Sequence, residues 1–257
     1  METVKNLFNK WEDFLEHKSD PRISKYFLMQ SPFPILGISL GYLFIVKIVL
    51  PKYMKNRKAF DIKNILLVFN VWHMCANVGI FYYLASSGWL TTYNWRCEPF
   101  DRSPFGDPLT MLNSCWYFLM QKIIDLIETV ILLLGKRFDL VTFYHVVHHF
   151  LMLNMVWGHI KFFPGGHATF FGFANSFSHI ILYSYLIVTS LMPEIKKSFP
   201  WLRQLCTVLA ATEIIAIILH SAQLFFKNDC NYPIESIYYV LSYSSIYLVC
   251  SIFCHLR

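Results

Sequence analysis

Long apolar runs dominate this sequence and predict helices that cross a membrane. A spanning helix needs about 20 mostly apolar residues, and seven stretches fit that description. They are Phe33–Leu50, Ile62–Ala85, Leu109–Leu134, Phe138–Gly158, Gly166–Leu191, Leu202–Phe226 and Glu235–His255. The connections between them are short, and no internal repeat separates them. The pattern predicts an all-α membrane protein with seven transmembrane helices in one domain, residues 33–257, preceded by a segment of residues 1–32.

Basic residues in the loops predict the orientation of these helices, because Lys and Arg favour cytoplasmic loops. The odd loops are basic, through Lys52, Lys55, Arg57, Lys58 and Lys63, then Lys136 and Arg137, then Lys196, Lys197 and Arg203. The intervening loops carry only Arg96 and Arg102, then Lys161, then Lys227. We therefore expect residues 1–32 and the N-terminus in the lumen and the C-terminus in the cytosol.

The composition agrees with a membrane protein. Of the 257 residues, 56% are hydrophobic and 15% are charged, against roughly 25% charged in soluble domains. The net charge of +6 suits anionic groups at a membrane surface better than a nucleic-acid groove. Cys97 and Cys230 both fall in predicted lumenal loops, where a disulfide is stable. No other cysteine pair does, so we predict a Cys97–Cys230 disulfide.

Ionisable side chains inside spanning helices are costly and mark functional sites. This chain has many: Asn70, His73 and Asn77; Lys122, Asp125 and Glu128; His145, His148 and His149; Asn175, His179, Tyr183 and Tyr185; and Glu213 and His220. Most lie roughly 10–17 Å from a predicted cytosolic helix end, at about 1.5 Å per residue. This layer predicts one polar chamber that opens to the cytosol. A lone His73 or His220 is more typical of a buried core group, and we expect His159 and His167 at the lumenal interface.

The three histidines of the fourth stretch share one helical face, because His145, His148 and His149 are spaced i, i+3, i+4. Burying them is costly unless they have partners, so this face indicates chemistry. One interpretation is a metal site, since histidines at such spacing ligate iron or zinc. Membrane desaturases use several histidine boxes, whereas this sequence has one. His179 and one acid remain available to complete a mononuclear site.

Two other interpretations remain open at this point. In acyl transfer, a neutral imidazole acts as nucleophile or general base, and Asp125 and Glu128 fix its tautomer and orientation. The basic residues at the predicted cytosolic mouth suit a phosphorylated acyl carrier. A seven-helix receptor is the non-enzymatic alternative. The last stretch lacks N-P-x-x-Y, however, and the Asp101 and Arg102 pair falls on the lumenal side.

Several motifs follow one another along the chain. They are W-x-C-x-P-x-D at Trp95, Cys97, Pro99 and Asp101; K-x-x-D-x-x-E-T at Lys122, Asp125, Glu128 and Thr129; the basic pair Lys136 and Arg137; H-x-x-H-H at His145, His148 and His149; and N-x-x-x-H at Asn175 and His179, followed by Tyr183 and Tyr185. In this order they resemble the very-long-chain fatty acid elongases, the ELO condensing enzymes of the endoplasmic reticulum. That family has the two acids exchanged, and it has glutamines at Ala210 and Glu213.

The resemblance implies a specific reaction. A long-chain acyl-CoA condenses with malonyl-CoA to 3-ketoacyl-CoA, with release of CO2 and CoA, in the endoplasmic reticulum membrane and without a metal or other cofactor. An acyl-histidine intermediate is expected, on His148 first and His179 second. The implied catalytic residues are His145, His148, His149, His179, Asp125 and Glu128. The implied substrate-binding residues are Lys122, Asn175, Tyr183, Tyr185, Glu213, His220, Lys136 and Arg137. The expected partners are acyl-CoA, malonyl-CoA, the lipid bilayer, the ketoacyl reductase, dehydratase and enoyl reductase of the elongation cycle, and a homo- or hetero-oligomer, but no nucleic acid.

Overall fold

Helices make up the regular structure of the protein. The computed structural model describes residues 17–226 and 229–255, so residues 1–16 of the predicted lumenal segment and Lys227 lie outside the described residues. The described part contains seven long helical stretches and no β-strand. They are α1 (Phe33–Met54), α2 (Lys63–Trp89), α3 (Asp107–Leu134), α4 (Phe143–Phe162), α5 (Gly166–Leu191), α6 (Trp201–Phe226) and α7 (Ile234–His255).

Each predicted stretch coincides with one of these helices, but the fourth is displaced. We placed it at Phe138–Gly158, and the helix runs over Phe143–Phe162. Thr142 decides the start, because its hydroxyl oxygen accepts a hydrogen bond from the backbone N–H of His145 at 3.1 Å. Such a cap satisfies a backbone donor that the first helical turn leaves free. The apolar residues before it lie in a turn, so hydropathy alone placed the boundary wrongly.

Six of the helices form a closed ring. Going round it, α2 packs on α5, α5 on α6, α6 on α7, α7 on α4, α4 on α3, and α3 again on α2. Helix α1 lies outside the ring and packs mainly against α4. Each ring helix therefore presents one face to an enclosed centre, and polar residues there are shielded from lipid.

The outer surface of the bundle is apolar. Large hydrophobic side chains such as Phe44, Val68, Tyr82, Val208 and Leu219 are exposed on it, which in a soluble protein would be a liability. Helices α1, α2, α5 and α6 are each long and apolar enough to cross a membrane. By contrast, α3 and α4 carry the lysine, the acids and the histidines that the sequence singled out.

The two ends of the bundle differ in chemistry. At one end, Cys97 and Cys230 form the disulfide, with Cα atoms 5.7 Å apart. It links the α2–α3 and α6–α7 connections. Nearby, the backbone N–H of His167 donates to the carbonyl of Glu98 at 3.0 Å. We refer to this as the disulfide end. The other end holds the loops of residues 55–62, 135–142 and 192–200, which carry most of the loop lysines and arginines, and we refer to it as the basic end.

The segment before α1 is bound to the disulfide end. The Trp157 indole N–H donates to the carbonyl of Leu28, and the Lys161 ammonium donates to that of Met29, both at 2.8 Å. Arg22 reaches the α2–α3 connection and donates to the carbonyl of Ser103 at 2.8 Å. Each of these bonds joins a side chain to a backbone carbonyl in an irregular part of the chain. The hydropathy pattern of the sequence therefore did not predict them.

Candidate active site

A cavity of about 290 Å³ lies inside the ring and contains all six predicted catalytic residues. Its wall includes His145, His148, His149, His179, Asp125 and Glu128, together with Asn175, Tyr183 and Glu213 from the predicted substrate-binding set. Helices α3, α4, α5, α6 and α7 all contribute to it. Most of the predicted polar layer therefore forms one site, because helical spacing brings residues far apart in sequence to one depth of the ring, but Asn70 and His73 of α2 lie outside its wall.

Lys122 organises the acidic side of this cavity without lining it. The Lys122 ammonium donates to Asp125 Oδ2 at 3.2 Å and to Asn175 Oδ1 at 2.9 Å, and it lies 4.6 Å from the centre of the Phe118 ring. Asn175 in turn donates its amide N–H to Glu213 Oε1 at 2.8 Å. The chain of bonds fixes Asp125, Asn175 and Glu213 on three helices. Its single buried ammonium offsets carboxylate charge that would be costly away from water.

The hydrogen bond of His179 fixes its tautomer. Its Nδ1 lies 2.8 Å from the backbone carbonyl of Asn175. A carbonyl oxygen can only accept, so Nδ1 carries a proton, and in the neutral ring Nε2 keeps a free lone pair. In its neutral form, His179 therefore presents an imidazole with one unprotonated nitrogen in the cavity wall. That is the form required of a nucleophile or a general base.

The three histidines of the H-x-x-H-H motif contact one another along one face of α4. The His145 and His149 rings are 4.5 Å apart, and those of His148 and His149 are 5.2 Å apart. His145 Nε2 lies 2.9 Å from the hydroxyl oxygen of Thr129, which also bonds to Tyr42 at 3.0 Å. The Thr129 of the K-x-x-D-x-x-E-T motif thus orients the first histidine of H-x-x-H-H.

His148 is held by rings instead of hydrogen bonds. The Tyr247 ring lies 4.6 Å from it and the Tyr144 ring 6.2 Å. Its Nδ1 is buried and has no hydrogen-bond partner among the described residues. Within those residues, no three His, Cys, Asp or Glu side chains are grouped so that they could hold a metal ion.

Several predicted substrate-binding residues lie outside the cavity wall. Tyr185 is one, because it is two residues from Tyr183 and faces another side of α5. Lys136 and Arg137 follow the end of α3, where Arg137 pairs with Asp139 at 3.4 Å. Lys122 acts only through its neighbours. None of these four side chains lines the cavity, and their assignment to substrate binding stays a prediction.

His220 is also far from the predicted chamber. It lies seven residues beyond Glu213, about 10 Å along α6 towards the disulfide end. Its ring stacks on His167 at 4.0 Å and on Phe170 at 3.9 Å. His167 and His159 are also buried, at 1% and 9% exposure, and their position at the lumenal membrane interface stays a prediction. Packing of the disulfide end buries these rings, which hydropathy did not predict.

The last helix was not predicted to form part of this site. Tyr243, Ser244 and Tyr247 of α7 line the cavity, yet tyrosines and serines occur on several faces of that helix. The apolar part of the wall was also unpredicted. It consists of Leu151, Met152, Met155, Phe171, Leu182, Ile214 and Ile217. These side chains make much of the cavity suitable for a hydrocarbon chain.

A family model, "ELO: GNS1/SUR4 family", matches residues 27–256 of the chain. The chain belongs to the ELO family. The resemblance that the motifs suggested is thus confirmed, and the match includes every helix that lines the cavity.

Relatives of this ELO-family chain carry elongase names. Very long chain fatty acid elongase 7 of Drosophila melanogaster is 40% identical over 240 residues, which cover 93% of this chain and 73% of the relative. A very long chain fatty acid elongase of Aedes aegypti is 35% identical over 249 residues, covering 96% and 69%. Very long chain fatty acid elongase 1 of Mus musculus is 34% identical over 250 residues, covering 97% and 88%. With its apolar helices, the family member is a multi-pass membrane protein.

Proposed function

We propose that this protein condenses a long-chain acyl-CoA with malonyl-CoA, giving a 3-ketoacyl-CoA, CO2 and CoA. The observation that carries the proposal is the central cavity, in which an imidazole of fixed tautomer lies beside carboxylates and an apolar wall. Membership of the ELO family and the elongase names of its relatives support the same reaction. Fatty acid elongation needs these two features together, a nucleophile for a thioester and room for a hydrocarbon chain.

We further propose that all seven helices span the endoplasmic reticulum membrane, with the disulfide end in the lumen. The N-terminus is then lumenal and the C-terminus cytosolic. Two observations support this orientation. Loop lysines and arginines concentrate at the basic end, as cytosolic loops require, and a disulfide needs an oxidising compartment. His145 and His148 lie within the first two turns of α4, near the basic end, so CoA would approach from the cytosol.

The first half-reaction uses the free lone pair of His179. Nε2 attacks the thioester carbonyl, the C–S bond breaks, and CoA leaves as a thiolate that takes up a proton. The acylated ring keeps its Nδ1 proton on the Asn175 carbonyl and is a cation. The Asp125 carboxylate in the same wall provides negative charge that stabilises it. His148, which the motif placed first, is second on this argument, because its Nδ1 has no hydrogen-bond partner among the described residues.

The second half-reaction forms the new carbon–carbon bond. Malonyl-CoA loses CO2 and leaves a carbanion, stabilised as the enolate of its thioester. The carbanion attacks the acyl carbonyl, the C–N bond to His179 breaks, and the neutral imidazole is restored. The step consumes no redox equivalents. Water must stay out of the cavity, because it would hydrolyse the acyl-histidine, and the apolar wall serves that purpose.

The test distinguishes the condensation reaction from the proposed acyl-histidine intermediate. Purified protein is mixed with acyl-CoA alone, and free CoA and intact protein mass are measured before malonyl-CoA is added. We expect about one equivalent of CoA, a mass increase equal to the acyl group, and loss of both in His179→Ala. His159→Ala, a buried histidine of α4 outside this cavity, is the matched control and keeps the adduct.

Three other outcomes have distinct meanings. An adduct that survives in His179→Ala and disappears in His148→Ala refutes the assignment of the nucleophile. Release of CoA only when both substrates are present refutes the covalent route and leaves condensation intact. Failure of the unaltered protein to give 3-ketoacyl-CoA from any acyl-CoA with malonyl-CoA refutes the proposed function.

A further inference from the structure

Helix α2 supplies no residue to the central cavity, yet it carries buried polar side chains. Asn70, His73 and Asn77 are exposed by 3%, 0% and 0%. Their spacing of three and four residues places them on one face of the helix. Placing such groups inside an apolar bundle is costly unless they serve a purpose there. His73 is the one with side-chain contacts to the cavity wall.

Through its Nδ1, His73 contacts the carboxylate of Asp125. The atom lies 3.1 Å from Asp125 Oδ1, towards which it directs its proton, and the side-chain amide of Gln121 lies against both groups and donates to that oxygen at 3.4 Å. The other carboxylate oxygen of Asp125 accepts from Lys122 at 3.2 Å. Asp125 is therefore held from both sides, by α2 on one and by its own helix on the other.

The ring of His73 contacts a second wall residue. It stacks on Tyr183 of α5, with ring centres 4.9 Å apart and an interplanar angle of 29°. Phe69 packs against the same imidazole at 4.0 Å. Asp125 and Tyr183 belong to different helices and both line the cavity. One fully buried imidazole, itself outside the wall, thus contacts two side chains that form it.

We propose that His73 is a positioning residue for the condensation, an inference that rests on the proposed function. Its Nδ1 fixes the direction of the Asp125 carboxylate, and its ring fixes the plane of Tyr183. It touches no substrate, so its removal should leave the cavity accessible and slow the chemistry. A displacement of about 1 Å in a catalytic group can lower the rate about a hundredfold.

Three substitutions separate the two contacts. His73→Phe keeps an aromatic ring against Tyr183 and removes the nitrogen facing Asp125. His73→Asn keeps a side-chain amide near the position of Nδ1 and removes the ring. His73→Ala removes both. The matched control is Asn77→Ala, because Asn77 is equally buried on the same face but bonds within α2, to the backbone carbonyl of His73 at 2.8 Å.

Each variant is purified and compared with the unaltered protein for kcat, for KM of both substrates and for melting temperature. We expect kcat of His73→Phe and His73→Ala to fall by about ten- to a hundredfold, with both KM values within about twofold. His73→Asn should recover part of the loss in kcat relative to His73→Ala. Asn77→Ala should keep kcat within about twofold, whatever its melting temperature.

Other results overturn the inference. Unchanged kcat in His73→Phe and His73→Asn shows that neither contact matters. An equal loss of kcat in Asn77→Ala, or a loss that follows the melting temperature across all variants, reduces His73 to a structural role. If the unaltered protein makes no 3-ketoacyl-CoA, the proposed function fails, and that result is separate from every comparison among the variants.

Discussion

Replacing Lys122 with methionine tests the network that holds the acidic side of the cavity. Its ammonium is 3% exposed and lies between Asp125 and Asn175, 3.2 and 2.9 Å away. Methionine fills nearly the same volume and removes only the charge and the donors. Asp125 is then left as a buried carboxylate with Gln121 and His73 as its remaining neighbours.

The expected cost follows from the loss of one partner of a buried ion pair. Such a loss costs about 3–5 kcal/mol, and the remaining neighbours of Asp125 place this case at the low end, near 3 kcal/mol. For a chain of this size, 1 kcal/mol corresponds to about 2–4 °C of melting temperature. Lys122→Met should therefore melt about 6–12 °C below the unaltered protein in the same detergent. The measurement is thermal unfolding followed by tryptophan fluorescence.

A double substitution and a control make the test specific. Asp125→Asn removes the charge that Lys122→Met leaves unpaired, so the double variant should be less destabilised than the sum of the two single variants. Lys161→Met is the control, since Lys161 is equally buried at 3% exposure but donates to the Met29 carbonyl. Its loss should not be rescued by Asp125→Asn. An unchanged melting temperature in Lys122→Met, or strict additivity in the double variant, would refute this reasoning.

Three further predictions concern other parts of the molecule. Replacing Cys97 and Cys230 with serine opens a loop of 133 residues and should lower the free energy of unfolding by at most about 5 kcal/mol, measured as a lower melting temperature. An unchanged melting temperature would show that helix packing alone holds the disulfide end. Condensation should survive exhaustive chelation and be lost in His148→Ala, whereas chelator-sensitive activity with stoichiometric iron would indicate an oxygenase. Thr129→Val, which removes the partner of His145, should lower kcat with little effect on melting, and the reverse pattern would make that bond structural.

The sequence alone predicted the helices of this protein and most of the polar residues that line its cavity. Apolar runs of sufficient length can only be helices in a membrane, since each backbone group must find its partner within its own helix. The depth of each polar residue along its helix was also predictable from the sequence, because the rise per residue in a helix is constant. For that reason, the sequence alone predicted one chamber for residues that do line the same cavity: His145, His148, His179, Asp125 and Glu128.

Tertiary structure decided which of the remaining polar residues reach that chamber. Depth does not give rotation, so Tyr185, which was predicted to bind substrate, lies outside the wall, and Tyr247 of α7, which was not predicted, lines it. From the sequence, His73 was expected to be an isolated core group. The packing of α2 on α3 and α5 instead places its ring against Asp125 and Tyr183. Which face of a helix turns inward depends on its neighbours in the ring, and no pattern within one helix contains that information.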